Sequence, residues 1–454
     1  MKIIKNNIKR LKVTVIALAF AVTSFISIGF VDNYFEISKN LEIFATLFKE
    51  LNIYYVDETA PGDLIKKGID KMLESLDPYT VYIPESEMED HRFMITGQYG
   101  GIGALIRKRG DDVIISEPYE GFPAHKAGLM AGDILLEIDG KPVKGKNTSD
   151  VSKILKGQPG TTVIVLIERE DAENPLEKTI TREDIKIKSV SYYGMITEDI
   201  GYIKLTSFTN KASSEVKKAL LSLKEEHNMT SVVLDLRSNP GGLLRESVNI
   251  VNLFVEKGQE IVSTKGKIKE WDRTHKGLNA PVDTKIPLVV LVNRGSASAS
   301  EIVSGSIQDL DRGVIIGQKT FGKGLVQQTR QLSYNAQLKV TTAKYYIPSG
   351  RCIQALDYTH RNKDGSVGKI PDSLISEFKT KNGRIVYDGG GITPDIKLEN
   401  RKLSSITNIL RYKLLIFDYA TKYRREHPAI PQSKEFDITD EDYNEFIAFL
   451  ADKD

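Results

Sequence analysis

The 454-residue chain carries 63 basic and 61 acidic residues, a net charge of +2, with 40% apolar and 27% charged residues. That length exceeds one ordinary core and suggests about three units, while the charge balance excludes a disordered chain and offers no overall field for nucleic acid. Cys352 is the only cysteine, so an intrachain disulfide is excluded and burial must supply the stability.

The chain opens with Lys2, Lys5, Lys9, Arg10 and Lys12, then runs uncharged for 19 residues from Val13 to Val31. Such a stretch is just long enough to cross a bilayer core, and the positive flank keeps its start in the cytoplasm and exports the rest. Ser27-Ile28-Gly29 matches a cleavage site poorly, so residues 1–32 read as a membrane anchor ahead of a cleaved signal peptide. Either reading places the body in the periplasm or on the extracytoplasmic face of the inner membrane. Residues 33–94 form an N-terminal helical region, with helix expected across 36 to 92. Leu41, Ile43, Phe44, Leu47, Phe48 and Leu51 give an apolar stripe at helical spacing, and a second run from Leu64 to Leu76 ends at Asp77-Pro78. No catalytic constellation occurs there, and packing or a homodimer surface is the expected role.

From 95 to 186 the texture changes to short strands and glycines. A glycine turn, Tyr99-Gly100-Gly101-Ile102-Gly103, runs into a strand; strands are also expected at Val113–Ser116, Ile134–Ile138 and Thr162–Ile167, with a short helix ending at Gly128 and another over Thr148–Leu155. Small β-rich units of this kind bind an extended peptide along a sheet edge, and glycine-turn N–H groups can hold a terminal carboxylate. Residues 99 to 103 are therefore candidate peptide-binding residues, although tight backbone geometry alone would also explain Gly100 and Gly101. The segment from Pro123 to Gly140 resembles the PDZ domains found inside bacterial proteases, which capture C-terminal or internal apolar peptides. The basic residue that such domains place before the next glycine turn corresponds to Lys156, before Gly157.

Between 187 and 400 the pattern is α/β. Val232–Leu236 reads as a strand, followed by the turn Arg237-Ser238-Asn239-Pro240-Gly241-Gly242 and a helix from Leu244 to Phe254. The unit repeats as the strand Leu288–Val292, the turn Gly295-Ser296-Ala297-Ser298-Ala299-Ser300-Glu301, and a helix to Gln308. Gly313–Gly317 then leads to Thr320-Phe321-Gly322-Lys323-Gly324. Glycine-rich turns at strand ends are where an open sheet places its ligand. Residues 401–454 read as a charged helical extension without a motif.

A serine on a tight strand-to-helix turn can present its hydroxyl beside free backbone N–H groups. Ser298-Ala299-Ser300-Glu301 equally fits the S-x-x-E box that caps helices, which leaves Ser296, Ser298 and Ser300 all open as caps or packers. A lysine can serve as base only when largely neutral, and burial of Lys323 beside Phe321 and Val326, with no adjacent carboxylate, would push its pKa down. Lys319 competes but has wetter neighbours. Gly317 to Lys323 fits the glycine and lysine spacing of a phosphate-binding loop, yet position 324 is Gly where Ser or Thr should hold magnesium. Histidine triads remain open through His275 and His360, whereas no H-E-x-x-H or paired cysteines suggest a metal, so none is expected. Cys352 reads as a small, half-buried strand residue.

Taken together, these segments resemble the C-terminal processing peptidases, serine proteases with an embedded PDZ domain. The resemblance spans about residues 40 to 400 and rests on Glu74–Tyr79, Leu234–Gly242, Gly295–Glu301, Thr320–Gly324 and Gly391–Ile396. It implies an α/β protease core of mixed sheet and helices, an inserted β-rich PDZ domain, and helical N- and C-terminal parts. It implies further that Ser298 is the nucleophile, Lys323 its base and Gln327 the residue orienting the lysine, with Gly241 or Gly242 and Ala299 donating to the oxyanion by their N–H groups. No cofactor is implied. The expected substrates are exported proteins or peptides with apolar C-terminal ends, the membrane is met through the N-terminal segment, and nucleic acid is no partner. An adaptor protein and a homodimer are further partners to test. An inactive PDZ-type peptide-binding scaffold is the alternative, disfavoured because Ser298, Lys323 and Gln327 are all present.

Overall fold

A computed structural model describes residues 34–399, 402–427, 429–431, 435–451 and 453. The expected anchor, Val13 to Val31, lies outside the described residues. Among the described residues no helix is long and apolar enough to cross a membrane. The chain divides into two compact units, 1–75 and 76–454.

In the first unit, residues 34–54 are helical and a second helix spans Pro61–Glu74. Pro61 sits where its missing N–H costs nothing, since the first turn of a helix leaves its donors unpaired. The predicted stripe is present but exposed at Leu41, Ile43, Phe44, Leu47 and Leu51.

The expectation of helix through residue 92 fails within the second unit. Val81–Ile83 is a strand, antiparallel to Gln337–Lys339, and a separate helix spans Met88–Thr96. Its C-cap, Gly97, takes φ 67°, the left-handed geometry that favours glycine. Three adjacent β-formers after Asp77-Pro78 gain a ladder from a distant strand, which outweighs the neighbouring helical periodicity.

The β-rich domain expected to be a PDZ domain enters and leaves side by side, because Gln98–Gly101 pairs antiparallel with Glu183–Lys186. Its main sheet runs in the order Ala104–Arg109, Asp112–Pro118, Ile134–Ile138, Thr162–Glu168, Leu176–Thr181. Alternate residues Val163, Val165 and Ile167 face a core shared with Val113, Leu135 and Ile138, and Val151 and Leu155 of the helix Thr148–Leu155 close it. Asn147 caps that helix, accepting from Asp150 N at 2.8 Å. Ala104–Arg109 is an edge strand of this sheet.

The α/β core is a six-stranded sheet in the order Val190–Met195, Ile200–Leu205, Ser231–Asp235, Leu288–Val292, Val314–Gly317, Ile396–Lys397. Only the first pair is antiparallel. The helices Ala212–His227, Leu244–Asn252 and Ala299–Asp309 bury Leu220, Ile250 and Ile302 against strand residues such as Leu234 and Val290. Parallel strands put the C-terminal ends of Ser231–Asp235 and Leu288–Val292 side by side, so their turns meet. A second sheet, built on Gln337–Tyr346, holds Leu325–Gln331 and Glu260–Gly266 as well as Val81–Ile83. Helices Ser405–Tyr412, Leu415–Glu426 and Asp440–Ala451 form the extension. They reach the PDZ domain through ion pairs Arg109–Asp418 at 2.7 Å and Arg425–Glu170 at 2.6 Å.

Candidate active site

The three serines separate cleanly. Ser296 is fully buried; its Oγ donates to Leu236 O at 2.8 Å and accepts from Asn293 N at 2.9 Å. Ser300 is equally buried and donates to Asn239 O at 2.9 Å. Both stitch the serine turn to the glycine turn. Ser298 is half-buried, donates its hydroxyl proton to no group among the described residues, and lines a cavity of about 450 Å³. Its backbone has φ 55° and ψ −112°, strain of order 1–3 kcal/mol that only an over-determined turn sustains.

Glu301 is what over-determines it. The capping-box arm forms, with Glu301 Oε2 accepting from Ser298 N at 2.8 Å. The same fully buried carboxylate also accepts from Thr320 Oγ1 at 2.6 Å, Gly322 N at 2.7 Å and Lys323 N at 2.9 Å. One side chain therefore holds the serine turn and the lysine turn in a fixed relation. Burial pushes Glu301 up to about 7, against the pull of these four donors. Tyr345 adds a second link, its hydroxyl donating to Lys323 O at 2.6 Å with Ser298 O at 3.1 Å.

Lys323 lines the same cavity as Ser298. Its ammonium lies 4.0 Å from the centroid of the Tyr79 ring, and no hydrogen bond joins it to Ser298. Burial, then the nearby charge of Lys339, pushes the amine down to about 8, with Asp77 and Glu301 opposing. Two expectations are corrected here: carboxylates do act on Lys323, and Phe321 is 51% exposed and outside the cavity lining. Leu325, Val326 and Tyr345 line the cavity around it. Lys319 is exposed and outside the lining. Gln327 lines the cavity, but its amide donates to Thr341 Oγ1 at 3.1 Å and no hydrogen bond joins it to Lys323.

The two candidate glycines divide as well. Gly241 N donates to Asn239 Oδ1 at 2.9 Å and is thus occupied. Gly242 N and Ala299 N have no partner among the described residues, and both residues line the cavity. Gly241 has φ 101°, and an added Cβ would lie 2.7 Å from Ala297 O and 2.9 Å from Ser298 Cβ. Only glycine lets the two turns approach this closely.

In the PDZ domain, Tyr99, Gly100 and Gly101 are spent on the ladder with Asp184 and its neighbours, and Gly100 O accepts from Gly157 N at 3.1 Å. Ile102 and Gly103 form the turn into the edge strand. Burial pushes the Tyr99 hydroxyl up to about 12. Lys156 pairs with Asp90 and lies over the rings of Tyr99 and Phe93, 5.3 and 5.9 Å from their centroids. Asp90 and Phe93 belong to the helix Met88–Thr96, whose His91, Phe93, Met94 and Ile95 line the cavity. Sequence reasoning expected helix only as far as residue 92 and gave neither this helix nor His91 a place at the site, because that place comes from contacts far along the chain. His275 and His360 are outside the cavity lining.

Residues 199–360 match the family model described as Peptidase family S41, residues 114–169 the PDZ domain model, and residues 406–454 "Probable PDZ-protease, C-terminal helical domain". A carboxy-terminal-processing protease of Bartonella bacilliformis is 39% identical over 328 residues, covering 71% of this chain and 74% of that protein. A "Probable CtpA-like serine protease" of Staphylococcus aureus is 32% identical over 426 residues, covering 91% and 82%. A solved photosystem II D1 C-terminal processing protease aligns at 28% identity and TM-score 0.42, covering 79% of this chain and 88% of that one. With that identity over most of a relative's length, and with these domains in this order, the chain belongs to the carboxy-terminal-processing serine proteases of peptidase family S41.

Proposed function

We propose that the protein is an endopeptidase in which Ser298 is the nucleophile and Lys323 its general base, acting on exported proteins whose apolar C-terminal ends the PDZ domain receives. The observation that carries this reading is the shared cavity: an undonated serine hydroxyl, a lysine pushed down to about 8, and two unpaired N–H donors open into one space. Neutral Lys323 removes the Ser298 proton as Oγ attacks the scissile carbonyl carbon. The carbonyl oxygen takes the negative charge and is held by Gly242 N–H and Ala299 N–H. Collapse breaks the C–N bond, the lysine proton passes to the leaving amine, and water then releases the acyl group by the same base. The lysine side chain first turns from the Tyr79 ring toward Ser298, because the resting contact is with the ring.

An edge strand, Ala104–Arg109, with Leu105 46% exposed, supports peptide reception by strand addition. The Lys156–Asp90 pair ties that domain to a helix of the cavity wall, a route by which an occupied PDZ domain reaches the chemistry. Export rests on the basic flank and the uncharged stretch Val13 to Val31. The test is cleavage of casein and of peptides with apolar tails by the purified protein, read by mass spectrometry. Ser298→Ala and Lys323→Ala should each abolish turnover while still binding the tails. Intact cleavage in either variant would sink the dyad, and tail binding without any cleavage by the unaltered protein would favour the scaffold reading.

A further inference from the structure

The cavity beside Ser298 has a charge pattern that hydrolysis alone does not require. Its lining includes Phe93, Met94, Ile187, Leu244 and Ile302, but no aspartate or glutamate. Two lysines line it, Lys323 and Lys339, together with His91. Lys323 has a place in the chemistry just proposed. Lys339 has none, and its ammonium has no hydrogen bond or ion pair among the described residues. It sits in the strand Gln337–Tyr346, paired with Val81 on one side and Thr329 on the other, so its backbone is fixed between two strands.

A half-buried ammonium without a counter-ion is unfavourable, and burial accordingly pushes Lys339 down, with no carboxylate near enough to oppose it. The partly buried lysines elsewhere on the protease core behave otherwise: Lys204 meets Asp235 at 3.2 Å and Lys224 meets Asp283. Lys339 lines the same cavity as His91 of the helix Met88–Thr96 and Lys323 of the lysine turn, and its charge acts on both. An acid-free, largely apolar cavity whose wall carries Lys339, a cation with neither a counter-ion nor a place in the proposed chemistry, is complementary to an apolar polypeptide that brings an anion to it.

We propose that Lys339 anchors a carboxylate of the bound polypeptide in this cavity, either its terminal α-carboxylate or an Asp or Glu side chain close to the scissile bond. The inference rests on the proposed use of this cavity for peptide hydrolysis. The carboxylate supplies the missing counter-ion, and a charge-assisted hydrogen bond in a half-dry site is worth about tenfold or more in affinity. His91, whose charged form burial and Lys339 both disfavour, lines the same space and can donate a second hydrogen bond.

The experiment compares matched peptides in the full-length protein: free acid against C-terminal amide, and Asp against Asn beside the cleaved bond. Cleavage is measured as kcat/KM, and binding by fluorescence anisotropy in Ser298→Ala, which gives a readout independent of turnover. At least one pair should favour the carboxylate by about tenfold, mainly through KM, and the pair that does so identifies the source. Lys339→Met keeps the apolar stem and should bring that ratio close to one, whereas Lys339→Arg should keep it. A structural defect would weaken both members of a pair together and leave the ratio unchanged. No preference in either pair, or a preference that survives Lys339→Met (as it would if the PDZ domain alone read the carboxylate), overturns the inference. Loss of the ratio in binding together with absent cleavage would instead overturn the hydrolytic reading and leave this one standing.

Discussion

The pH dependence of turnover follows from the position of Lys323. A base must be neutral to accept the serine proton, so activity should rise with pH as the ammonium deprotonates. With Lys323 held at about 8, the neutral fraction is about 0.09 at pH 7 and about 0.9 at pH 9, against about 0.0003 at pH 7 for an ordinary lysine. The buried setting therefore gives roughly 300-fold more active base at neutrality, and kcat/KM should climb about tenfold between pH 7 and pH 9. Glu301, pushed up to about 7, adds to the lower limb. Its ionised form is the one that accepts all four donors, so the profile should steepen below pH 7. The assay is kcat/KM for a fluorogenic peptide from pH 5.5 to 9.5 at constant ionic strength, with a folding control by circular dichroism at each end. A His91 base would put the limb lower than that of an ordinary imidazole, because burial and Lys339 push it down. A limb there, or a flat profile from pH 6.5 to 9.5, would refute the assignment of Lys323.

Glu301→Gln leaves one amide oxygen and one NH₂ where the carboxylate met two pairs of donors, so two buried donors lose their acceptor. The fold should weaken by about 2–4 kcal/mol by chemical denaturation, with kcat/KM down at least about 100-fold as the turns lose register; unchanged values for both would discount the link. Gly241→Ala places a methyl against Ala297 O and Ser298 Cβ, and its expected outcome is a folded protein with kcat reduced by about 100-fold or more. If that variant turns over normally, the close approach of the two turns is not needed for chemistry.

How much of this was legible depends on how local each feature is. Strand, glycine turn and helix follow one another within a few residues at Ser231–Leu244 and at Leu288–Ser298, so hydrophobic runs and turn residues sufficed to find them. The capping role of Glu301 could also be read, because its first partner is three residues away. Its grip on Thr320, Gly322 and Lys323 could not, since that depends on how two parallel strands end beside each other. Burial of Lys323 was expected from Phe321 and Val326: Val326 does line the cavity, but Phe321 is half exposed, and Tyr79, more than 200 positions away, lies against the amine. Val81–Ile83 read as helix because nothing in the local sequence announces a partner at Gln337–Lys339. The strands of the PDZ domain were found as short apolar runs between glycine turns, whereas the pairing of Lys156 with Asp90 joins elements that no periodicity relates.

The positive φ of Ser298 has a consequence for what the position can hold. A β-branched side chain is strongly disfavoured there, because its second branch crowds the backbone at φ 55°. Threonine carries the same hydroxyl and is for that reason a poor substitute, while glycine fits the backbone and brings no oxygen. Serine is the smallest side chain that offers a hydroxyl, so the bend of the main chain narrows the choice of residue before any bond is broken.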